Sequence, residues 1–165
     1  MIERGPVEIL LVEDNQSDAK LTQRALVKNN IVNRIEHVKD GQAAIDYLFR
    51  EGEYVDRDPA GPRVVLLDIK LPKVDGLEVL RRIREDPRTA SLPVVLLTSS
   101  NVERDIVRGY ALHANSYIVK PVDFAKFTEA VRSIGLYWLL VNTPPPAAGS
   151  TARAHTTDAS TPAIR

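Results

Sequence analysis

Glu13 and Asp14 stand side by side directly after an apolar run, in the segment EILLVEDNQSD (8–18). Adjacent carboxylates at the mouth of a core strand repel each other and gain little for folding, so the pair calls for a cation. Asp68 closes a second apolar run, RVVLLD, and Thr98 closes a third, PVVLLT. Lys120 follows a fourth, SYIV, and precedes Pro121. Oxygen ligands in a partly hydrated pocket suit Mg2+, which keeps several waters and takes one or two carboxylates plus phosphate oxygens. The acid pair therefore fits a divalent metal, and the metal would neutralise a phosphoryl group arriving at the third acid. An Asp carboxylate can be the nucleophile and form an aspartyl phosphate. A lysine can pair with that phosphate as a point charge, and a threonine hydroxyl can donate to it.

These residues need a scaffold that brings them together. Five short apolar runs read as strands: 8–12, 34–38, 63–68, 93–98 and 116–119. Several are nearly continuous in Val, Ile and Leu, as in strands covered on both faces of a parallel sheet. RIEHV (34–38) alternates and suits a strand nearer an edge. Helical patterns lie between and after them. SDAKLTQRALVKN carries Leu21, Ala25 and Leu26 on one side, and GQAAIDYLFREG spaces Ala44, Ile45, Leu48 and Phe49 before Gly52. DGLEVLRRIRED has Leu77, Leu80 and Ile83, beginning near Asp75 with Gly76 easing the turn, and NVERDIVRGYALHA has Val102, Ile106 and Tyr110. DFAKFTEAVRSIGLYWLLV (123–141) has Phe124, Phe127, Val131, Ile134 and Trp138. Strand and helix alternate five times, which predicts a doubly wound α/β fold with a five-stranded parallel sheet and right-handed crossovers. If the order is 2-1-3-4-5, flavodoxin-like, strands one and three flank the switch in strand order where ligands gather. Glu13, Asp14 and Asp68 would then share one cleft with Thr98 and Lys120.

Composition narrows the field. Lys plus Arg equals Asp plus Glu at 22 each in 165 residues, so neither nucleic acid nor an anionic membrane is expected as a broad electrostatic partner. There are no cysteines, which excludes disulfides and thiolate chemistry and suits a reducing cytoplasm. The N-terminus does not read as a signal peptide, and no apolar stretch approaches the roughly 20 residues that span a bilayer. His113 and His155 show no metal spacing, and His37 reads as a packed or edge residue of its strand. The segment 53–63 reads as a long loop. Residues 143–165, rich in Pro, Ala and Thr, cannot bury enough surface to offset their ordering entropy and read as a disordered tail after a domain spanning 1–142.

The motifs LLVEDN, VVLLDIKLPKVDGLEVL, PVVLLTSS and SYIVKPVD, in that order, resemble the receiver domain of two-component response regulators over about residues 8–140. The resemblance implies Asp68 as phospho-acceptor, Asp14 as a direct Mg2+ ligand, Glu13 acting mainly through metal-bound water, and the Lys70 backbone carbonyl completing the site. It implies that Thr98 and Lys120 contact the phosphoryl group and that Lys120–Pro121 is a cis peptide. Tyr117 takes the place of the switch aromatic, which turns inward when Thr98 moves toward the phosphate, and Lys70 and Ser100 flank the path of the hydrolysing water. The loop at 53–63, LHANSYIVKPVD and VRSIGLYWL look like the single-domain regulators paired with phytochrome-type histidine kinases. The expected function is a cytoplasmic, stand-alone phosphorylation switch rather than a turnover enzyme. A histidine kinase would charge it, and it would signal by protein contact or relay the phosphate to a histidine phosphotransfer protein. A rival is a Mg2+-dependent phosphatase with Asp68 as nucleophile. Such enzymes usually carry a second acid two residues on, where this chain has Lys70.

LYWLLV (136–141) is apolar all round, unlike the stripe of a surface helix. It is expected to form part of a homodimer contact through Trp138 and Leu140, beside the fourth helix and fifth strand. Changing Trp138 and Leu140 together to Asp should then give a soluble monomer in light scattering, whereas a persisting dimer would place the interface elsewhere.

Overall fold

A computed structural model of the chain describes residues 7–28, 34–99 and 103–136. Strands β1 (Ile9–Val12), β2 (Ile35–Val38), β3 (Val64–Asp68), β4 (Val94–Thr98) and β5 (Ser116–Val119) alternate with helices α1 (Gln16–Lys28), α2 (Gly41–Phe49), α3 (Gly76–Glu85), α4 (Glu103–Ala111) and α5 (Phe124–Ser133). All strand pairs are parallel, in the order β2-β1-β3-β4-β5 expected from the motif pattern. The alternating side chains of the central strands feed two cores. Leu10, Val12, Val65, Leu67, Val94 and Leu96 pack toward Ile45 and Leu48 of α2 and Leu80 and Ile83 of α3. Ile9, Leu11, Val64, Leu66, Val95 and Leu97 pack toward Leu26 of α1 and Phe127 and Val131 of α5. Each such side chain contributes about 1.5–3 kcal/mol by leaving water. This double coverage explains why β1, β3 and β4 read as unbroken apolar runs, while the edge strand β2 alternates and is only half-buried over Ile35–His37.

Helix boundaries follow local chemistry. The Asn15 side chain accepts from the Asp18 N–H at 2.9 Å, so α1 starts earlier than Ser17. Asp40, Asp75 and Asp123 cap α2, α3 and α5, each carboxylate accepting a main-chain N–H of the first turn. α2 ends at Phe49 rather than running to Gly52: Arg50 turns left-handed, and the Arg57 guanidinium donates to the carbonyls of Tyr47 and Leu48. Arg57 thereby fastens the loop after α2, which also contains a short 3-10 turn at Gly52–Tyr54, to the helix end.

Three expectations are corrected. Leu21 faces outward, 52% exposed, and the inner face of α1 is Ala19, Thr22 and Leu26. The buried row is thus spaced three and seven residues from Ala19 and includes a threonine. Tyr110 of α4 is also exposed and sets its ring edge-on against Tyr117, with centroids 6.0 Å apart. Finally, α5 stops at Ser133 instead of continuing to 141. Gly135 adopts φ +78, and the Leu136 N–H reaches back to the Val131 carbonyl at 2.7 Å, so a glycine C-terminal cap closes the helix. Trp138, Leu140 and the segment 143–165 lie outside the described residues.

Gly76 begins α3 tight against the end of β3. Its N–H donates to the Ile69 carbonyl at 2.8 Å, and a side-chain carbon there would collide with the Asp68 carbonyl oxygen. Gly76→Ala should therefore lower stability by about 1–3 kcal/mol, an overpacking cost, measured by urea denaturation. Unchanged stability would show that the turn yields freely.

Candidate functional site

Parallel register aligns the strand ends. Val12 pairs with Leu67, Asp68 with Leu97, and Thr98 with Val119, so residues just past β1 and β5 share one edge with the last residues of β3 and β4. Glu13, Asp68 and Thr98 are buried there, and Asp14 is exposed. One carboxylate oxygen each from Glu13, Asp14 and Asp68 all lie within 4.8 Å of one another. Lys120 reaches into this group. Its Nζ donates to Asp68 Oδ2 at 3.0 Å, to Glu13 Oε1 and Oε2 at 3.1 and 3.3 Å, and to Asp18 Oδ2 at 3.1 Å. The lysine backbone is fixed by a 2.7 Å hydrogen bond from its N–H to the Thr98 carbonyl, and the Lys120–Pro121 peptide is cis.

The electrostatics follow from burial. Three carboxylates face one ammonium. Burial pushes the Glu13 carboxyl up to about 8, and the hydrogen bond and charge of Asp68 push the same way against the pull of Lys120. Burial alone would lower the Lys120 ammonium, yet its hydrogen bonds to Asp68 and Glu13 carry it above its ordinary range. With negative charge in excess, Lys120 stays protonated and Glu13 is the group forced toward neutrality. An all-oxygen donor set with two buried members and one open to water fits a hard divalent cation that retains waters. Asp14, Glu13 and Asp68 are the side chains that would hold it.

The structure brings Glu13, Asp14, Asp68, Thr98 and Lys120 to one cleft. The Lys70 N–H donates to Asp68 Oδ1 at 3.3 Å, which keeps the Lys70 main chain beside the carboxylate. Tyr117 stands on β5 away from the cleft, 38% exposed, against Tyr110. Ser100 lies outside the described residues. Two participants were not singled out from sequence. Asp18, in the first turn of α1, is a third acceptor for Lys120. Its signal was an extra acid one helical turn beyond the Glu13–Asp14 pair, hidden because Asp is also common in a helix's first turn. His37 places Nε2 2.7 Å from the Glu13 carbonyl oxygen. Nothing in a strand histidine's sequence setting points to that contact.

Five parallel strands in this order, carrying an acid cluster and a lysine at the carboxyl edge, define a doubly wound α/β module with an acidic site at the switch in strand order. The family model for the response regulator receiver domain matches residues 9–132, and the chain belongs to that family. It is 45% identical over 141 residues to a probable methanogenesis regulatory protein, FilR2, of Methanothrix harundinacea, covering 85% of this chain and 88% of that one. It is similar to the structure of the bacteriophytochrome response regulator RtBRR, with 47% identity, a TM-score of 0.76 and 86% of each chain covered. It is also similar to the Mn2+-bound form of the response regulator Rcp1, a Synechocystis protein, with 38% identity, a TM-score of 0.69, and 85% of this chain and 99% of that one covered. The chain is thus a response regulator receiver domain of two-component signalling. No described helix is long and apolar enough to cross a membrane.

Lys120→Met should lower stability at pH 7 by about 3 kcal/mol, because the buried Asp68 carboxylate loses its counter-ion and Glu13 loses the same hydrogen-bond donor. Asp18→Asn, at a half-exposed acceptor, should cost under about 1 kcal/mol. Urea denaturation of the two variants separates these values, and equal losses would mean that Lys120 does not offset the buried pair.

Proposed function

We propose that this chain is a phosphorylation-controlled switch in which Asp68 accepts a phosphoryl group from the phosphohistidine of a histidine kinase. The observation that carries it is the buried Asp68 carboxylate, which shares Lys120 with Glu13 and lies in the oxygen cluster of Glu13 and Asp14. An Asp68 oxygen attacks phosphorus, the P–N bond breaks, and its electron pair leaves on the imidazole nitrogen, giving an aspartyl phosphate and a free histidine. Asp14, Asp68 and the Lys70 carbonyl would hold Mg2+, with Glu13 acting mainly through metal-bound water, and the bound ion would supply charge neutralisation for the incoming phosphoryl oxygens. Lys120, already 3.0 Å from Asp68, pairs with the new dianion, and the Thr98 hydroxyl, at the end of the adjacent strand, donates to it.

The switch then acts through β5. Thr98 and Lys120 are joined by a main-chain hydrogen bond, and Tyr117 lies on the same strand as the approach to Lys120. Movement of Thr98 and Lys120 toward the phosphate turns Tyr117 inward and remodels the surface it shares with Tyr110 on α4. Lys70 and Ser100 tune the lifetime of the phosphorylated state. The output is a contact with a protein, or relay to a histidine phosphotransfer protein, and the chain works as a cytoplasmic homodimer using Trp138 and Leu140. Similarity to a bacteriophytochrome response regulator supports a phytochrome-like kinase as the donor. The receiver domain is assigned to 1–142, followed by the Pro-, Ala- and Thr-rich segment 143–165.

Intact mass after incubation with Mg2+ and acetyl phosphate, beside Asp68→Ala, tests the chemistry. One added phosphoryl group is expected, absent in the variant and absent with EDTA. No adduct despite bound metal would oppose the acceptor role under these conditions, and rapid consumption of acetyl phosphate without an adduct would favour a phosphatase.

A further inference from the structure

β2 grips the main chain of Glu13 at both of its polar groups. The Glu13 N–H donates to the Val38 carbonyl at 3.1 Å, and the Glu13 carbonyl oxygen lies 2.7 Å from His37 Nε2. A carbonyl oxygen can only accept, so Nε2 carries the proton and the imidazole donates. The contact spans 24 residues of sequence and ties the edge strand to the peptide that joins Glu13 to Asp14. That peptide lies past the last register pair of the β1–β2 ladder, Val12 with Val38. The side chain of His37 thus takes over where strand pairing stops, at the step where the chain turns from core strand to acid pair. His37 is half-buried and stands opposite Leu11 in the register.

We propose that His37 is a positioning residue for the divalent-cation site. Its imidazole fixes the Glu13–Asp14 peptide, and through that peptide it aims both carboxylates. This rests on the proposed metal role of Glu13 and Asp14. His37 acts through the Glu13 main chain rather than on the cation, and a ring with its proton on Nε2 is sufficient. Groups that orient metal ligands without touching the metal typically govern affinity by about 10–100-fold.

Side-chain chemistry supplies the controls. His37→Leu keeps bulk and removes the donor. His37→Gln keeps an amide nitrogen near the place of Nε2. His37→Asn ends one position short, near Nδ1, and leaves the Glu13 carbonyl unreached. Calorimetric titration of the full chain and each variant with Mg2+, beside melting curves recorded without metal, tests the assignment. The Leu and Asn variants should bind Mg2+ about tenfold or more weakly, and the Gln variant close to wild type. If the Leu variant does not fold, the contrast between Asn and Gln decides. Wild-type affinity in the Asn variant with only a lowered melting temperature would make His37 a packing residue and overturn the proposal. A Gln variant as weak as the Asn variant would overturn it as well. If the wild-type chain takes up no Mg2+, the metal-site reading itself fails and this inference falls with it. Tight binding by the wild type and all three variants would overturn this inference alone.

Discussion

A buried carboxylate costs about several kcal/mol unless a positive charge or good hydrogen bonds compensate it, and this sheet ends two neighbouring strands in one each. Glu13 follows β1 and Asp68 finishes β3, both buried, with Asp14 just outside. A single ammonium, Lys120, is shared among Glu13, Asp68 and Asp18. One positive charge against several negative ones leaves the site short of cation, which is why burial and Asp68 together push Glu13 toward its neutral form. The same shortage suits a hard divalent cation, and in the proposed phosphoryl transfer Lys120 is the positive charge already within reach of Asp68.

The rest of the molecule can be understood as what holds that imbalance in place. Parallel pairing sets the ends of β1, β3, β4 and β5 at one edge, and two apolar layers clamp the strands so that they cannot slide to relieve the crowding. A one-residue slip would move every core side chain to the opposite face, so the register is enforced far from the site. The turn after β3 is held closed by Gly76 against Ile69, and the Lys70 N–H is tied to the Asp68 carboxylate. β5 carries both Tyr117 and the approach to Lys120, and Tyr117 sets its exposed ring against Tyr110 of α4. A change in what Lys120 and Thr98 hold is therefore mechanically close to an aromatic surface on the outside of the domain.

Much of this was legible in the chain. Continuous Val, Ile and Leu runs identify β1, β3 and β4 because a strand covered on both faces needs apolar residues at every position. Alternation in RIEHV marks β2 as an edge for the converse reason. Asp75 and Gly76 announce the start of α3 through capping and close approach. Leu21, Tyr110 and the end of α5 were not legible. Which row of α1 faces the sheet depends on how the helix is set on it, and a glycine within an apolar helical pattern can either be tolerated or end the helix.

The sequence by itself determined the kinds of groups at the strand ends and, through its alternation of strand and helix, the edge on which they gather. Residue type and position relative to a strand end are local properties, and Glu13, Asp14, Asp68, Thr98 and Lys120 have them in plain order. Only the tertiary structure decided which groups share a proton donor. Asp18 meets Lys120 across 102 residues, and His37 meets the Glu13 carbonyl across 24. Such contacts depend on how α1 and β2 are set against the sheet, and that placement comes from packing many apolar side chains at once rather than from the residues that make the contact.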